Sequence, residues 1–563
     1  MSAVTPRIDG VVRFEHLDEP LGIGSSRPRL SWRLDAAPGW TQRAYELELH
    51  RGGAVHGTGL IETADQVLVP WPGAPLSSRE RATVRVRAHG TDGTSTAWSE
   101  AAEVEAGLLS AADWRAVPVG GAWPERAGTD RRPSRVRRSF VLDHGIASAR
   151  LYASAHGVYE AELNGQRIGD DVLSPGWTKY DTRLRYRTYD VTGMLLPGEN
   201  VIGAWLGDGW YRGRLGFNGG YHDLYGEDLA FIGQLEVRYS DGRSEIIATD
   251  GAWEAAKSPI LFSGLYDGEQ HDLRLDGEGW SSPGGSDEGW APVAIGRRDP
   301  STLTAPVQPP VRCTEEVEPA SMRRDSTGAL LIDFGQNLVG RLRIRIHGRA
   351  GQEIRITHAE VLQDGELYRR TLRLAASEDV VTLASDGLTE WEPRFTIHGF
   401  RYARIEGWDG EPSAGDIVAR VHHTDMRRTG WFSSSDPSLD RLHENVLWST
   451  RSNFVDIPTD CPQRDERLGW TGDIQVFAPT AAFLYDCAGM LDSWLVDLAE
   501  EQLEDGTVPW FVPTIPGGST WNPIKPGAVW GDAAVLTPGC CTSDSATSAS
   551  WSSSTRARRP GSI

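Results

Sequence analysis

The stretch DIPTDCPQRDERLGWTGDIQVFAPTAAFLY, Asp456 to Tyr485, decides how this chain is read. Its first 18 residues carry seven acidic or basic side chains, two prolines and a tryptophan, and an apolar run follows that reads as a buried helix. A segment with only a packing role has little reason to crowd carboxylates and arginines against such a helix. A site that holds a polar ligand and moves protons does.

A helix through 464–475 would place Glu466 four residues from Trp470 and seven from Asp473, so that all three share one face. An indole beside Glu466 would exclude water from it, as a general acid working at neutral pH requires. Asp460 precedes Cys461-Pro462 and reads as a loop residue that accepts hydrogen bonds from ligand hydroxyls. Arg464 and Arg467 are placed to orient the carboxylates or touch the ligand. The competing reading is a solvated helix start with paired charges. Two carboxylates flanking a bond are the minimum for glycoside hydrolysis. Asp473 is one candidate partner for Glu466. Neighbours on one helix face share a side of the ligand, however, so the base is expected on another element.

The chain has 563 residues, too many for one core. It is 39% hydrophobic and 24% charged, with a net charge of -21 from 57 basic and 78 acidic residues. That balance argues against nucleic acid or an anionic membrane as partner. No run approaches the length of a membrane span, and the N-terminus lacks the pattern of a secretory signal, so a cytoplasmic protein is expected. Five scattered cysteines make no disulfide framework or paired metal motif. Tryptophan is abundant, at 22 residues. Sandwich cores use it, and so do sugar sites, where its flat face meets the C–H face of a pyranose.

Residues 1–107 alternate at period 2 in Pro28–Leu34, Ala44–Leu49 and Thr83–Ala88, and resemble a fibronectin type III module. Residues 108–132 are rich in Pro and Gly and read as a linker. Residues 133–300 read as a carbohydrate-binding-like jelly roll with a hairpin turn at Asn164-Gly165. Its loop from Gly207 to Tyr225 mixes aromatics with Asp208, Asn218, His222 and Asp223. This suggests either a sugar-binding face that admits calcium or aromatics closing the end of a sandwich. Residues 301–422 read as a further β-sandwich. His422-His423 invites a metal reading, but strand neighbours face opposite ways.

From residue 423 the period becomes helical. Asp436-Pro437 is a helix start, and Leu439, Leu442, Val446 and Leu447 recur at helical spacing. Helices are also expected over Ala478–Cys487 and Ala488–Leu503, and one begins near Trp530. Residues 538–563, Ser-rich and aperiodic, read as an aberrant or disordered tail left by a frameshift or premature end.

Asp460 to Asp473, DCPQRDERLGWTGD, resembles the signature of the bacterial α-L-rhamnosidases, glycoside hydrolase family 78. The resemblance extends along nearly the whole chain. It implies three all-β modules followed by an (α/α)6 barrel, of which 423–537 is the N-terminal part. It also implies inverting release of terminal α-L-rhamnose from rhamnosides, with no cofactor needed for catalysis. By this resemblance Glu466 falls at the general acid. Asp460, Asp473, Trp470, Arg464 and Trp530 fall at substrate-binding positions. Asn164 and Asp223 fall at calcium ligands used by some members. The family's base is a Glu more than roughly 200 residues beyond the acid, whereas this chain ends 97 residues after Glu466. No base is therefore assigned. A non-catalytic carbohydrate-binding or scaffold protein is the alternative.

Overall fold

The computed structural model describes residues 5–277, 279–516 and 523–543. The first module pairs Arg7–Phe14 with Leu30–Asp35, and packs this pair on a five-stranded sheet whose centre is Arg81–Gly90 between Ala102–Ala106 and Gln42–Arg51. Arg81–Gly90 buries every second residue, so one face meets the core of Phe14, Trp32 and Leu47 and the other meets water.

The stretch expected as a linker is docked. Trp114 is buried edge-on against Tyr152 and Tyr186, and Val119–Gly120 adds a short strand beside Phe231. An indole of that size is worth more buried than as part of a spacer.

The second module stacks two six-stranded sheets around Val136, Leu151, Phe231 and Trp253. The hairpin Ile260–Gly264/Gly268–Asp272, inside the range read as jelly roll, leaves it for the next module. Gly268–Asp272 pairs in parallel with Glu378–Thr382. The third module is thereby one continuous ten-stranded sheet rather than two separately bonded ones. Its 19-residue strand Leu330–Gly348 pairs with four others and bends at a bulge between Asp333 and Leu338, where Gly335 takes φ +81°.

Helix α1, Pro437–Asn453, starts as its sequence dictates: the Asp436 carboxylate accepts from Ser438 N at 2.9 Å, and Pro437 opens the first turn. Helices α2 (Thr471–Leu484), α3 (Ala488–Glu501) and α4 (Ala533–Ser543) follow. The helix expected through 464–475 forms only from Thr471: 461–469 is loop, and Arg467 takes φ +50°. Residues 538–543, read as tail, continue α4; 544–563 lie outside the described residues. Leu439, Leu442, Val476, Phe483, Val535 and Leu536 stand exposed on these helices. No helix among the described residues is long and apolar enough to cross a membrane.

Candidate active site

The loop 456–470 is held by contacts to the second and third modules. At its start Asp456 is buried in an ion pair with Arg185. It also accepts from Trp177 N at 2.6 Å and Gln308 Nε2 at 2.9 Å. Further on, Arg467 is buried under the third sheet and donates from Nη1 to the carbonyls of Leu265 and Ile397, each at 2.7 Å. Burial pulls its guanidinium down to about 10. Arg467 therefore braces backbone and does not orient a carboxylate. Tyr266, on the hairpin borrowed from the second module, donates to the Glu466 carbonyl at 2.7 Å.

These braces set Glu466 at 5% exposure, with its carboxylate at the centre of the cluster. Oε1 accepts from Trp470 Nε1 at 3.0 Å, and Oε2 accepts from Arg464 Nε at 2.9 Å and Arg373 Nη1 at 2.8 Å. Trp470, expected to exclude water and to pack on the sugar, is here a hydrogen-bond donor, and it packs edge-on against Phe511 and Phe217. Phe217 comes from the aromatic loop of the second module, so that loop closes this site.

Asp460, Cys461 and Glu466 bring their polar atoms within 4.8 Å of one another. Burial, and then the neighbouring Glu466, pushes Asp460 up to about 7. Asp460 consequently keeps a proton into the neutral range. The same burial holds the Cys461 thiol well above its ordinary value, so it stays protonated and is a poor metal ligand.

Asp460, Asp473 and Trp530 line one groove of about 500 Å³. Asp473 stands in the first turn of α2; nearby protein bulk, with Glu466 behind it, raises its carboxyl. Trp530 lies flat on Gly472, where an added Cβ would come within about 3 Å of the indole. Arg464 and Asp460 also line a second groove, of about 600 Å³, against the third module. Arg464 and Trp470 thus bond Glu466 directly, Asp460 lies beside it, and Asp473 and Trp530 line the groove that Asp460 shares; they come from a loop, a helix start and a later segment rather than from one helix face. Arg373, Tyr266, Phe217 and Phe511 were not singled out for roles here. Each arrives through packing between segments far apart in sequence.

Asn164 and Asp223 do not form a calcium site. The Asn164 amide locks a turn, donating to Met194 O and accepting from Val201 N, each at 2.9 Å. Asp223 is paired with Arg131 and accepts from Gly128 N at 2.6 Å. A calcium ion needs six to eight open oxygens, and this donor set does not fit one. His422 and His423 are buried separately, His423 against Thr314 at 2.8 Å and His422 against the Arg420 carbonyl at 2.9 Å.

β modules leading into helices, with two carboxylates and a tryptophan lining a groove in the helical part, are the layout of a multidomain glycosidase. Four family models match in order along the chain: the Rha78A-like N-terminal immunoglobulin domain at 11–110, the α-L-rhamnosidase N-terminal domain at 144–315, the bacterial α-L-rhamnosidase concanavalin-like domain at 323–423 and its 6 hairpin glycosidase domain at 427–542. The first module is accordingly immunoglobulin-like at this level of naming. An α-L-rhamnosidase of Streptomyces avermitilis is 44% identical over 431 residues, 76% of this chain and 41% of that protein. Among solved structures, the native α-L-rhamnosidase from Aspergillus terreus is 46% identical with a TM-score of 0.92, over 95% of this chain and 62% of that one. The Streptomyces avermitilis α-L-rhamnosidase complexed with L-rhamnose is 32% identical with a TM-score of 0.89, over 95% and 68%. The chain belongs to the α-L-rhamnosidase family, glycoside hydrolase family 78. It spans about half the length of the curated relatives it matches.

Proposed function

We propose that this protein is an α-L-rhamnosidase that releases terminal rhamnose from rhamnosides by inversion, with Glu466 as the general acid. The observation that carries this reading is the nearly enclosed Glu466 carboxylate, which lies against Asp460, itself on the wall of a groove faced by Asp473 and Trp530. In this reading rhamnose occupies that groove. Asp460 and Asp473 accept from its hydroxyls, and the Trp530 indole covers its apolar face. Arg464 and Trp470 fix the Glu466 side chain so that its proton points at the glycosidic oxygen. Oxocarbenium character then develops on the sugar as the bond breaks, and the carboxylates around the ring stabilise it. Inversion requires water to be activated from the opposite face; we assign the acid alone.

The test is release of rhamnose from an aryl α-L-rhamnoside, together with calorimetric binding of L-rhamnose. Glu466→Gln is expected to lower kcat at least about 100-fold while rhamnose still binds. Wild-type turnover by the variant overturns the acid assignment. Rhamnose binding without any turnover by the wild type would leave the carbohydrate-binding reading in its place.

A further inference from the structure

The second groove, on the far side of Asp460, runs between the bulge loop at Gly335–Leu338 and α1. Its polar groups are short of partners. Among the described residues, the side chains of Gln336, Asn337, Arg441 and Asn445 make no hydrogen bond or ion pair, although all four line it. Asn453 Oδ1 and Gln463 Oε1 are shielded from water at the same wall and have no donor. Acceptors shielded in this way are costly unless a ligand satisfies them. Charge is balanced along the wall. Arg401 is neutralised by Asp333 through contacts of 2.7 and 2.8 Å, and Glu360 and Asp460 oppose Arg441 and Arg464. Arg464 lines this groove and also donates to Glu466, so an occupant lies one side chain from the acid.

We propose that this groove holds the leaving-group half of the substrate, and that it is built for a neutral, hydroxylated sugar rather than a flat aryl aglycone. Carboxamides and a free guanidinium present donors and acceptors in several directions, which matches a ring bearing several hydroxyls. An aryl group would leave most of them unpaired. The inference rests on the rhamnosidase reading, because it takes the neighbouring groove as the rhamnose site.

The experiment is calorimetry on the 563-residue protein with three ligands: L-rhamnose, a non-hydrolysable thio-linked α-L-rhamnosyl-glucose, and phenyl thio-α-L-rhamnoside. The thio-disaccharide is expected to bind at least about tenfold more tightly than rhamnose, as two or three added hydrogen bonds allow. The phenyl compound should gain less than about threefold. Arg441→Ala and Asn445→Ala, at exposed positions on α1 where folding is not at risk, should each cut the disaccharide-to-rhamnose affinity ratio by about three- to tenfold. A phenyl compound that matches the disaccharide, or a ratio untouched by both variants, overturns the proposal while leaving the rhamnose site standing. Failure of all three ligands to bind rejects the rhamnosidase reading and this subsite with it.

Discussion

Trp470 Nε1 donates to Glu466 Oε1 at 3.0 Å, and the bond closes across a loop rather than along a helix. The indole is 7% exposed and wedged against Phe511, so its N–H has one fixed direction. Trp470→Phe keeps an aromatic ring there but removes the donor and leaves a small void. We expect a loss of about 1–3 kcal/mol in urea denaturation. We also expect about a tenfold drop in kcat on an aryl rhamnoside, as Glu466 gains freedom. A variant with native stability and native kcat would show that this bond positions nothing.

Asp456 and Arg185 form an ion pair at 3% and 2% exposure, between the start of the site loop and the second module. Asp456→Ala strands a buried guanidinium and should cost about 3–5 kcal/mol. Asp35→Asn removes a pair with Arg7 that is 45% and 71% exposed, and should cost less than about 1 kcal/mol. Denaturation curves for the two variants, measured side by side, check the contrast.

The carboxyl of Asp460 is raised to about 7 in the folded protein, mainly by burial. A raised carboxyl favours the folded state while it is protonated. That contribution is complete below the ordinary carboxylate range near 4 and is lost as pH rises towards about 7. Asp460→Asn cannot ionise. The Tm of the variant minus that of the wild type should therefore grow between pH 4 and pH 7.5 and level off above. A flat difference would show that Asp460 does not carry the proton.

Calcium should not stabilise this protein through Asn164 and Asp223, because Arg131 already occupies the Asp223 carboxylate. Adding millimolar calcium, or EDTA, should move Tm by less than about 1 °C; a saturable rise of several degrees would mean that ion and guanidinium exchange.

The change from strands to helices near residue 423 was legible because period 2 and period 3.6 bury different residues. So was the start of α1, where Asp436 and Pro437 satisfy the first turn locally. The clustering of Asp460, Arg464, Glu466 and Trp470 was legible as well, since carboxylates, arginines and a tryptophan were crowded into 18 residues. The helix expected from residue 464 begins only at Thr471, for a tertiary reason. Arg467 reaches two carbonyls of other modules, and that pull holds the chain in an open loop until Thr471. The linker reading of 108–132 failed similarly, because Pro and Gly content did not reveal the aromatic pocket that takes Trp114.

By itself the sequence determined the β-to-helical order, the family signature at 460–473 and which ionisable side chains are crowded there, because these depend on local periodicity and side-chain chemistry. Only the tertiary structure decided which groups meet Glu466 and Trp470: Arg373 from the third module and Tyr266 from a borrowed hairpin on Glu466, and Phe217 from the second module on Trp470. It also decided that Asp223 belongs to Arg131. Contacts between residues 92 to 253 positions apart are chosen by how whole sheets and helices pack, and no local pattern encodes that choice.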